Sequence, residues 1–316
     1  MNARHDSVIK NSAGIPRNER FQNDIIAERN FDIFCMLVLT GLNLVNIIRR
    51  FIICLSRCDI MRRIARDLRL HTIANRYLKR FPAVKCLAHG TQYRATRLES
   101  IPLAAEMFEK GALYPEELLP TNFTTFADLG CNVGYFTCWL VDIAEKRRLK
   151  GLMIDANPDA VKEAKWHAGI NELNEVFALH GVVGEGKEGG NAEFYLYESN
   201  ICSTSHLPEE LKRKLEGKWK RISVPCLEIE KQWKRRFGEI RCNVLKIDVE
   251  GSELRFLQSE QRFLKLCDSV FVEWHKWEVK FDDLKAILEA NGLNLVRKID
   301  ESDSMGTAFF RRNDNS

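Results

Sequence analysis

The sequence predicts an α/β fold built on one sheet of the nucleotide-binding kind, and three observations carry that expectation. The first is Phe123 to Leu140, FTTFADLGCNVGYFTCWL. A short apolar run bearing Asp128 breaks at Gly130-Cys131-Asn132-Val133-Gly134, then resumes with enough apolar character to start a buried helix. Strand, glycine turn and helix open such sheets, whose ligands bind at the carboxyl ends of the strands. Glycine suits the turn because it accepts φ > 0 and lets backbone approach a ligand closely. The second observation is a spacing. The apolar strand at Gly151 ends in Asp155, 21 residues after Gly134, where such folds place a carboxylate against a ribose diol. Third, NVLKIDVEGSE (Asn243–Glu253) and VFVEWH (Val270–His275) are two further apolar runs that end in charge. Four strands delivering polar groups to one end of one sheet is not a pattern that packing alone produces.

Taken in order, FADLGCNVGYFT, MIDANP, VLKIDVEGSE and VFVEWH resemble the motifs of the FkbM family of S-adenosylmethionine-dependent methyltransferases. YRATRLES (Tyr93–Ser100), ISVPCLEIE (Ile222–Glu230) and GTAFFRR (Gly306–Arg312) resemble that family too, so the likeness runs from Tyr93 to Arg312. LKIDVEGSE is its most specific part, because many methyltransferases share the glycine turn. Where the family usually shows Glu-Pro-Asn, this chain has Asp155-Ala156-Asn157-Pro158. An Asp still reaches both ribose hydroxyls, from one methylene closer. The resemblance implies a Rossmann-like, seven-stranded class I methyltransferase sheet, S-adenosylmethionine as cofactor, and an oxygen acceptor such as a sugar or polyketide hydroxyl.

Residues 1–30 are polar with mixed charge and read as a disordered tail. Phe31 to Leu55 holds an apolar stretch, Ile33–Ile48, of 16 residues, short of the roughly 20 that span a bilayer. Thr40, Asn43, Asn46 and Arg50 share one helical face, which makes the segment amphipathic. Ile60 to Arg80 reads as a second helix, with Ile60, Ile64 and Leu68 at i, i+4 spacing and Pro82 as its stop. Residues 31–80 thus form a basic, amphipathic helical extension with three roles open: packing or homodimerisation, interfacial membrane attachment, and a span whose Arg-rich flank holds the rest on the cytoplasmic side. Residues 88–316 form the methyltransferase domain. Its expected elements after the first strand and helix are a second strand ending at Asp155, a helix over Pro158–Asn171 and a third strand over Val176–Val183. Ala192–Tyr197 alternates as an exposed strand, and Ser199–Leu215 runs from a Ser-rich loop into a charged helix. Strands follow at Val244–Ile247 and Val270–Glu273. A helix over Phe281–Asn291 is stopped by Gly292, and Leu293–Ile299 with Thr307–Arg311 forms a terminal antiparallel pair.

Composition agrees with an ordinary globular chain: 316 residues, 45% hydrophobic and 29% charged, with a net charge of +4. Ten Lys/Arg stand against two Asp between Arg49 and Arg80, so the basic character is local. Ten cysteines are scattered with no Cys-x-x-Cys pair or Cys/His ladder, which fits free thiols in a reducing compartment. The first 30 residues contain no apolar signal core, and a cytoplasmic location is expected.

Methyl transfer to oxygen is an in-line displacement that needs two positioned reactants and a group to take the hydroxyl proton. Under the resemblance, Gly130, Asn132 and Gly134 cradle the methionyl end of the cofactor. Asp155, with Asn157 beside it, holds the ribose, and His180-Gly181 marks the adenine end. Asp128 either anchors the amino group through water or hydrogen-bonds loop N–H groups. Tyr135 is counted with the cofactor contacts, core packing being its alternative. The acceptor side falls to Asp248, Glu250, Glu273 and His275. Asp248 is the first choice of base and His275, which titrates near neutrality, the second; otherwise His275 is a satisfied histidine beside Trp274 and Trp277. Lys246 shares a face with Asp248 and is expected to pair with Glu273, while Glu253 is expected to cap a helix. A divalent ion on Asp248 and Glu250 is conceivable, and nothing in the sequence demands a metal. An RNA ribose methyltransferase is the runner-up, kept open by the basic run, although a nucleic-acid partner is disfavoured. An inactive membrane-attached scaffold is opposed by intact acids at all four strand ends.

Overall fold

A computed structural model of the chain describes residues 70–108, 113–145, 148–197 and 219–313. The chain divides into two compact units, residues 1–80 and 81–316. In the first, α1 (Leu70–Arg80) carries Lys79 and Arg80 in its last turn, where cations complement the helix dipole. It ends two residues before Pro82, which cannot continue a helix. The expectations for residues 1–69 and for Ser199–Leu215 lie outside the described residues. No described helix is long and apolar enough to cross a membrane.

The second unit opens with the hairpin β1 (Ala83–Cys86) and β2 (Gln92–Ala95), then α2 (Ser100–Phe108) and a short 3₁₀ turn at Glu116–Leu118. The alternating unit follows: β3 (Thr125–Leu129), α3 (Tyr135–Ile143), β4 (Lys150–Asp155), α4 (Pro158–Ile170) and β5 (Val176–His180). After β6 (Val182–Val183), β7 (Asn191–Tyr197), β8 (Trp219–Leu227) and α5 (Ile229–Phe237) come β9 (Cys242–Ile247), α6 (Glu253–Ser259), α7 (Gln261–Leu264) and β10 (Cys267–His275). The chain closes with α8 (Phe281–Ala290), β11 (Leu293–Glu301) and β12 (Met305–Arg312).

Seven strands form one sheet in the order β11-β12-β10-β9-β3-β4-β5. The five from β10 to β5 run parallel, and β12 pairs antiparallel with both β10 and β11. Parallel strands buried on both faces carry near-continuous apolar runs, and every residue of β3 is buried. The pleat sends alternate residues to opposite faces. Phe126, Met153, Val244, Phe271 and Phe309 join one core with α2, α3 and α4. Leu129, Ile154, Leu245, Val270 and Phe310 join the other with α5, α6, α7 and α8. The same parity places Asp128, Lys246 and Glu273 on the Phe126–Phe271 side.

The third strand is shorter than the expected Val176–Val183. It stops at His180, and β6 leaves to pair with β8 in a separate three-stranded sheet, β6-β8-β7. Gly181 marks the break. A Cβ there would sit 2.4 Å from Leu227 Cδ1 and 3.0 Å from Pro225 O, so the change of sheet requires glycine.

Candidate active site

Strand order reverses between β3 and β9, the place where doubly wound sheets open a ligand crevice. A cleft opens there. Its lining includes Gly130, Asn132, Asp155, Asn157, Gly181, Asp248 and Glu250. Residues from the small sheet and its loops, Val182, Val183, Glu185 and Phe194, complete one wall.

The glycine turn is held by backbone. Gly130 N and Cys131 N both donate to Ile154 O, at 2.9 and 3.1 Å, and Asp248 N donates to Leu129 O at 3.0 Å. Gly130 has φ +71°, and a Cβ on it would fall 1.6 Å from Asp248 O. The glycine is therefore required by the approach of β9 as well as by any ligand. Gly134, at φ +88°, is the N-cap of α3, and a Cβ on it would lie 3.3 Å from Ala164 and Met153. It is absent from the cleft lining, so its contribution is to helix packing.

Asp155 sits at the end of β4 with each oxygen engaged once. Oδ2 accepts from Asn132 N and Oδ1 from Asn157 N, both at 2.7 Å. Asn132 reaches this position in the left-handed region, φ +49°, which asparagine tolerates better than most residues. The Asn157 side chain accepts from Asp159 N as the N-cap of α4. Burial pushes the Asp155 carboxyl up to about 6, against the opposing pull of the Asn157 and Asn132 amides. A carboxylate offers about four lone-pair sites, of which the two amides occupy two.

Lys246 lies at the centre. It is 5% exposed, and its Nζ donates to Gly130 O at 2.8 Å and to Asp248 Oδ2 at 3.1 Å, with Asp128 Oδ1 at 3.6 Å. The expected pairing with Glu273 is replaced by these, because the register sets Lys246 beside Asp128 on β3 and beside Phe271 on β10. Burial alone would push the Lys246 ammonium down; Asp248 and Asp128 reverse this and hold it well above its ordinary value. Asp128 is fully buried and accepts from Thr137 Oγ1 at 3.0 Å. It stands behind the turn and outside the cleft lining, bonded to neither loop amides nor open space. Burial raises its carboxyl, with Lys246 pulling the other way.

Tyr135 is a correction. Its hydroxyl donates to Arg94 O at 2.8 Å, and its ring packs against Tyr93, Phe108 and His167. As the first residue of α3 it points toward β2, so it belongs to the core and not to the cofactor contacts. His180 Nε2–H donates to Ala156 O at 2.9 Å, leaving Gly181 to line the cleft.

The acceptor-side groups gather at the ends of β9 and β10. His275 is 3% exposed. Its Nδ1 meets Glu253 Oε1 at 2.9 Å, and its Nε2 faces Glu250 Oε2 at 3.3 Å and Glu273 Oε1 at 3.8 Å. The ring packs against Trp277, tilted by 53° with centroids 4.5 Å apart. Burial would lower the imidazolium, but the Glu253 hydrogen bond and the charges of Glu253, Glu250 and Asp248 raise it to about 9. Burial first and Asp248 second raise Glu250 and Glu273, each to about 8. Glu253 is more than a helix cap: it is fully buried, accepts from Gly251 N at 3.0 Å and orients the histidine. Sequence reasoning missed that role because a Glu at a helix start already has an ordinary explanation. Glu250 adopts φ +51° before Gly251 at φ +98°, an uncommon conformation for a Glu that aims its carboxylate into the cleft. Ser252, also in the lining, donates to Glu185 Oε1 at 2.5 Å.

A doubly wound sheet with an acid-rimmed cleft at its switch point defines the class I methyltransferase architecture. The family model described as the methyltransferase FkbM domain matches residues 128–295, just over half the chain. The protein belongs to the FkbM methyltransferase family, whose cofactor is S-adenosylmethionine. No curated protein sequence matches it. Similar solved structures include an FkbM methyltransferase from Methylobacillus flagellatus KT, at 13% identity and TM-score 0.43 over 64% of this chain and 47% of that one. Another is M. jannaschii TYW2 in complex with AdoMet, at 16% identity and TM-score 0.38, over 73% of this chain and 87% of that one. A third is the Methanococcus jannaschii fibrillarin pre-rRNA processing protein, at 14% identity and TM-score 0.41, over 73% and 84%. The chain spans about half the length of the first of these, and at such identities the likeness is one of fold alone.

Two substitutions probe this framework. Replacing Lys246 by Met leaves Asp128 and Asp248 without their shared cation, and the expected loss is about 3–5 kcal/mol of unfolding free energy by urea denaturation. A shift below about 1 kcal/mol would show that the buried pair is not held as described. Gly130→Ala should abolish cofactor binding and lower the melting temperature, since its Cβ would overlap a backbone oxygen; a variant with the wild-type melting temperature would contradict that packing.

Proposed function

We propose that the protein transfers a methyl group from S-adenosylmethionine to a hydroxyl oxygen of a small-molecule or glycan acceptor. One observation carries the reading: the carboxylates of Asp248 and Glu250 line the same cleft as Asp155 and the glycine turn. Bound there, S-adenosylmethionine supplies a methyl carbon on a cationic sulfur, which leaves as a neutral thioether.

The chain's residues fit that cofactor. The backbone of Gly130 and Asn132 gives close, unhindered approach for the methionyl end, and Asp155 has lone pairs left for both ribose hydroxyls. Asn157 fixes the Asp155 carboxylate through its own N–H, and Gly181 to Val183 supply an apolar wall for the base. Anionic groups beside a sulfonium lower its energy in a partly enclosed site. Asp248, whose side chain is 25% exposed, is the group that orients the acceptor hydroxyl and takes its proton. His275 is a positioning residue. It is buried behind Glu250 and Glu273 and holds them, and it reaches the cleft only through them. A nitrogen acceptor usually calls for an Asn/Asp-Pro-Pro-aromatic box after the fourth strand, and Ile247-Asp248-Val249-Glu250-Gly251 stands there instead.

Incubation with labelled S-adenosylmethionine and a panel of sugars, glycans and cell extract tests the reaction. Mass spectrometry should find a methyl ether; label on nitrogen or carbon alone would defeat the proposal. Asp248→Asn should lower kcat by about 10²-fold or more while S-adenosylhomocysteine affinity, read by calorimetry, stays within about twofold of wild type. If affinity collapses as well, Asp248 is holding cofactor.

Asp155 gives a pH dependence of definite sign. Its carboxyl is raised to about 6, so it is ionised and able to accept two ribose hydroxyls above that value and protonated below it. Cofactor affinity should fall as pH drops through 6, approaching tenfold per pH unit, and Asp155→Asn should bind weakly with a flat profile. A wild-type affinity that is constant from pH 7 to pH 5 would refute the ribose role.

A further inference from the structure

We propose that Asp248, Glu273 and His275 form a binding site for one divalent transition-metal ion, Mn²⁺ in type, at the acceptor side of the cleft. One ligand atom from each of the three residues can be chosen so that all lie within 4.8 Å of one another, a separation that a single ion with bonds of about 2.0–2.2 Å draws together with small side-chain movement. Two carboxylates and one imidazole suit a first-row divalent ion, with the oxygen-rich set favouring Mn²⁺.

Two observations beyond the clustering point to a cation. Glu273 is 8% exposed and, among the described residues, its carboxylate makes no hydrogen bond; its ion pair is to His275 Nε2 at 3.8 Å. A carboxylate so buried and so poorly satisfied is costly unless something cationic joins it. The histidine is prepared from behind as well. Glu253 Oε1 engages its Nδ1 at 2.9 Å, one of the outer contacts by which metal-binding imidazoles are oriented. With Nδ1 engaged by Glu253, Nε2 is the ring nitrogen that faces Glu250 and Glu273, at 3.3 and 3.8 Å, and an ion that displaced its proton would take that lone pair. Charge points the same way: Asp128 and Asp248 converge on Lys246, and Glu250, Glu253 and Glu273 on His275.

The site deepens the hydroxyl-acceptor reading and rests on it only for purpose. Asp248 lines the cleft, so an ion there would take the acceptor hydroxyl in place of one of its waters and make it more acidic. With the ion bound, Asp248 would act as ligand and give up the base role it has in the metal-free reading, and the hydroxyl proton would pass to Glu250, which lines the cleft and lies outside the ligand set.

The test uses the full chain with neither cofactor nor acceptor. Titration with Mn²⁺ followed by electron paramagnetic resonance should show loss of the free-ion signal, saturating at one ion per chain. Glu273→Gln and His275→Gln should each weaken binding by at least about tenfold, while S-adenosylhomocysteine affinity stays within about twofold of wild type and so certifies the fold. Should either variant lose that affinity, Glu253→Gln provides the same reading from behind the histidine. No saturable binding, or binding that none of these variants weakens, would overturn the site. Mn²⁺ binding by a chain that takes no S-adenosylhomocysteine would defeat the methyltransfer proposal and leave the metal site standing.

Discussion

The ammonium of Lys246 fixes the geometry on which the rest of the site depends. One buried cation joins three pieces of backbone: β3 through Asp128, the glycine turn through Gly130 O, and the end of β9 through Asp248. A lysine without those acids would not stay charged in the core, and the acids without it would repel one another. Each group therefore depends on the others, and the arrangement locks the two strands that flank the switch point. The 1.6 Å overlap that any Cβ on Gly130 would make with Asp248 O expresses the same closeness sterically.

Because the pleat alternates, this face of the sheet gathers charge at one end only. Asp128, Lys246 and Glu273 share parity with Phe126, Val244 and Phe271, so each strand is apolar through the core and polar at its rim. The rim divides into two environments. On the β4 side, Asp155 is satisfied by two backbone amides and keeps acceptor capacity for a neutral diol. On the β10 side, acids outnumber bases among the described residues, the Glu273 carboxylate has no hydrogen bond among them, and Glu250 is held in a left-handed turn. The first is a finished binding surface. The second is a cluster of buried carboxyl groups, Glu250 and Glu273 raised to about 8, gathered around one histidine beside the cleft.

Much of this was legible in the residues. Parallel strands covered on both sides leave apolar runs, and those that end in charge mark the rim, so β3, β4, β9 and β10 and their acids could be read directly. Asp155 followed from spacing. What could not be read was register and direction. Lys246 was expected beside Glu273, but which neighbour a strand residue faces depends on strand alignment, and Asp128 is its partner across β3–β9. Tyr135 was placed with the cofactor, yet the first side chain of α3 turns toward Arg94, a contact 41 residues away in sequence. β8 and α5 were visible only through a family likeness, since β8 is half exposed and mixed in character. The break at Gly181 depends on Leu227, remote in the chain.

Hydrogen–deuterium exchange with and without S-adenosylmethionine tests the central claim most directly, since it locates the ligand without relying on turnover. The account predicts slower exchange at three separated segments, Gly130–Asn132, Asp155–Asn157 and Gly181–Val183, because these converge on one cleft. Protection confined to other parts of the chain, or none at saturating cofactor, would contradict it.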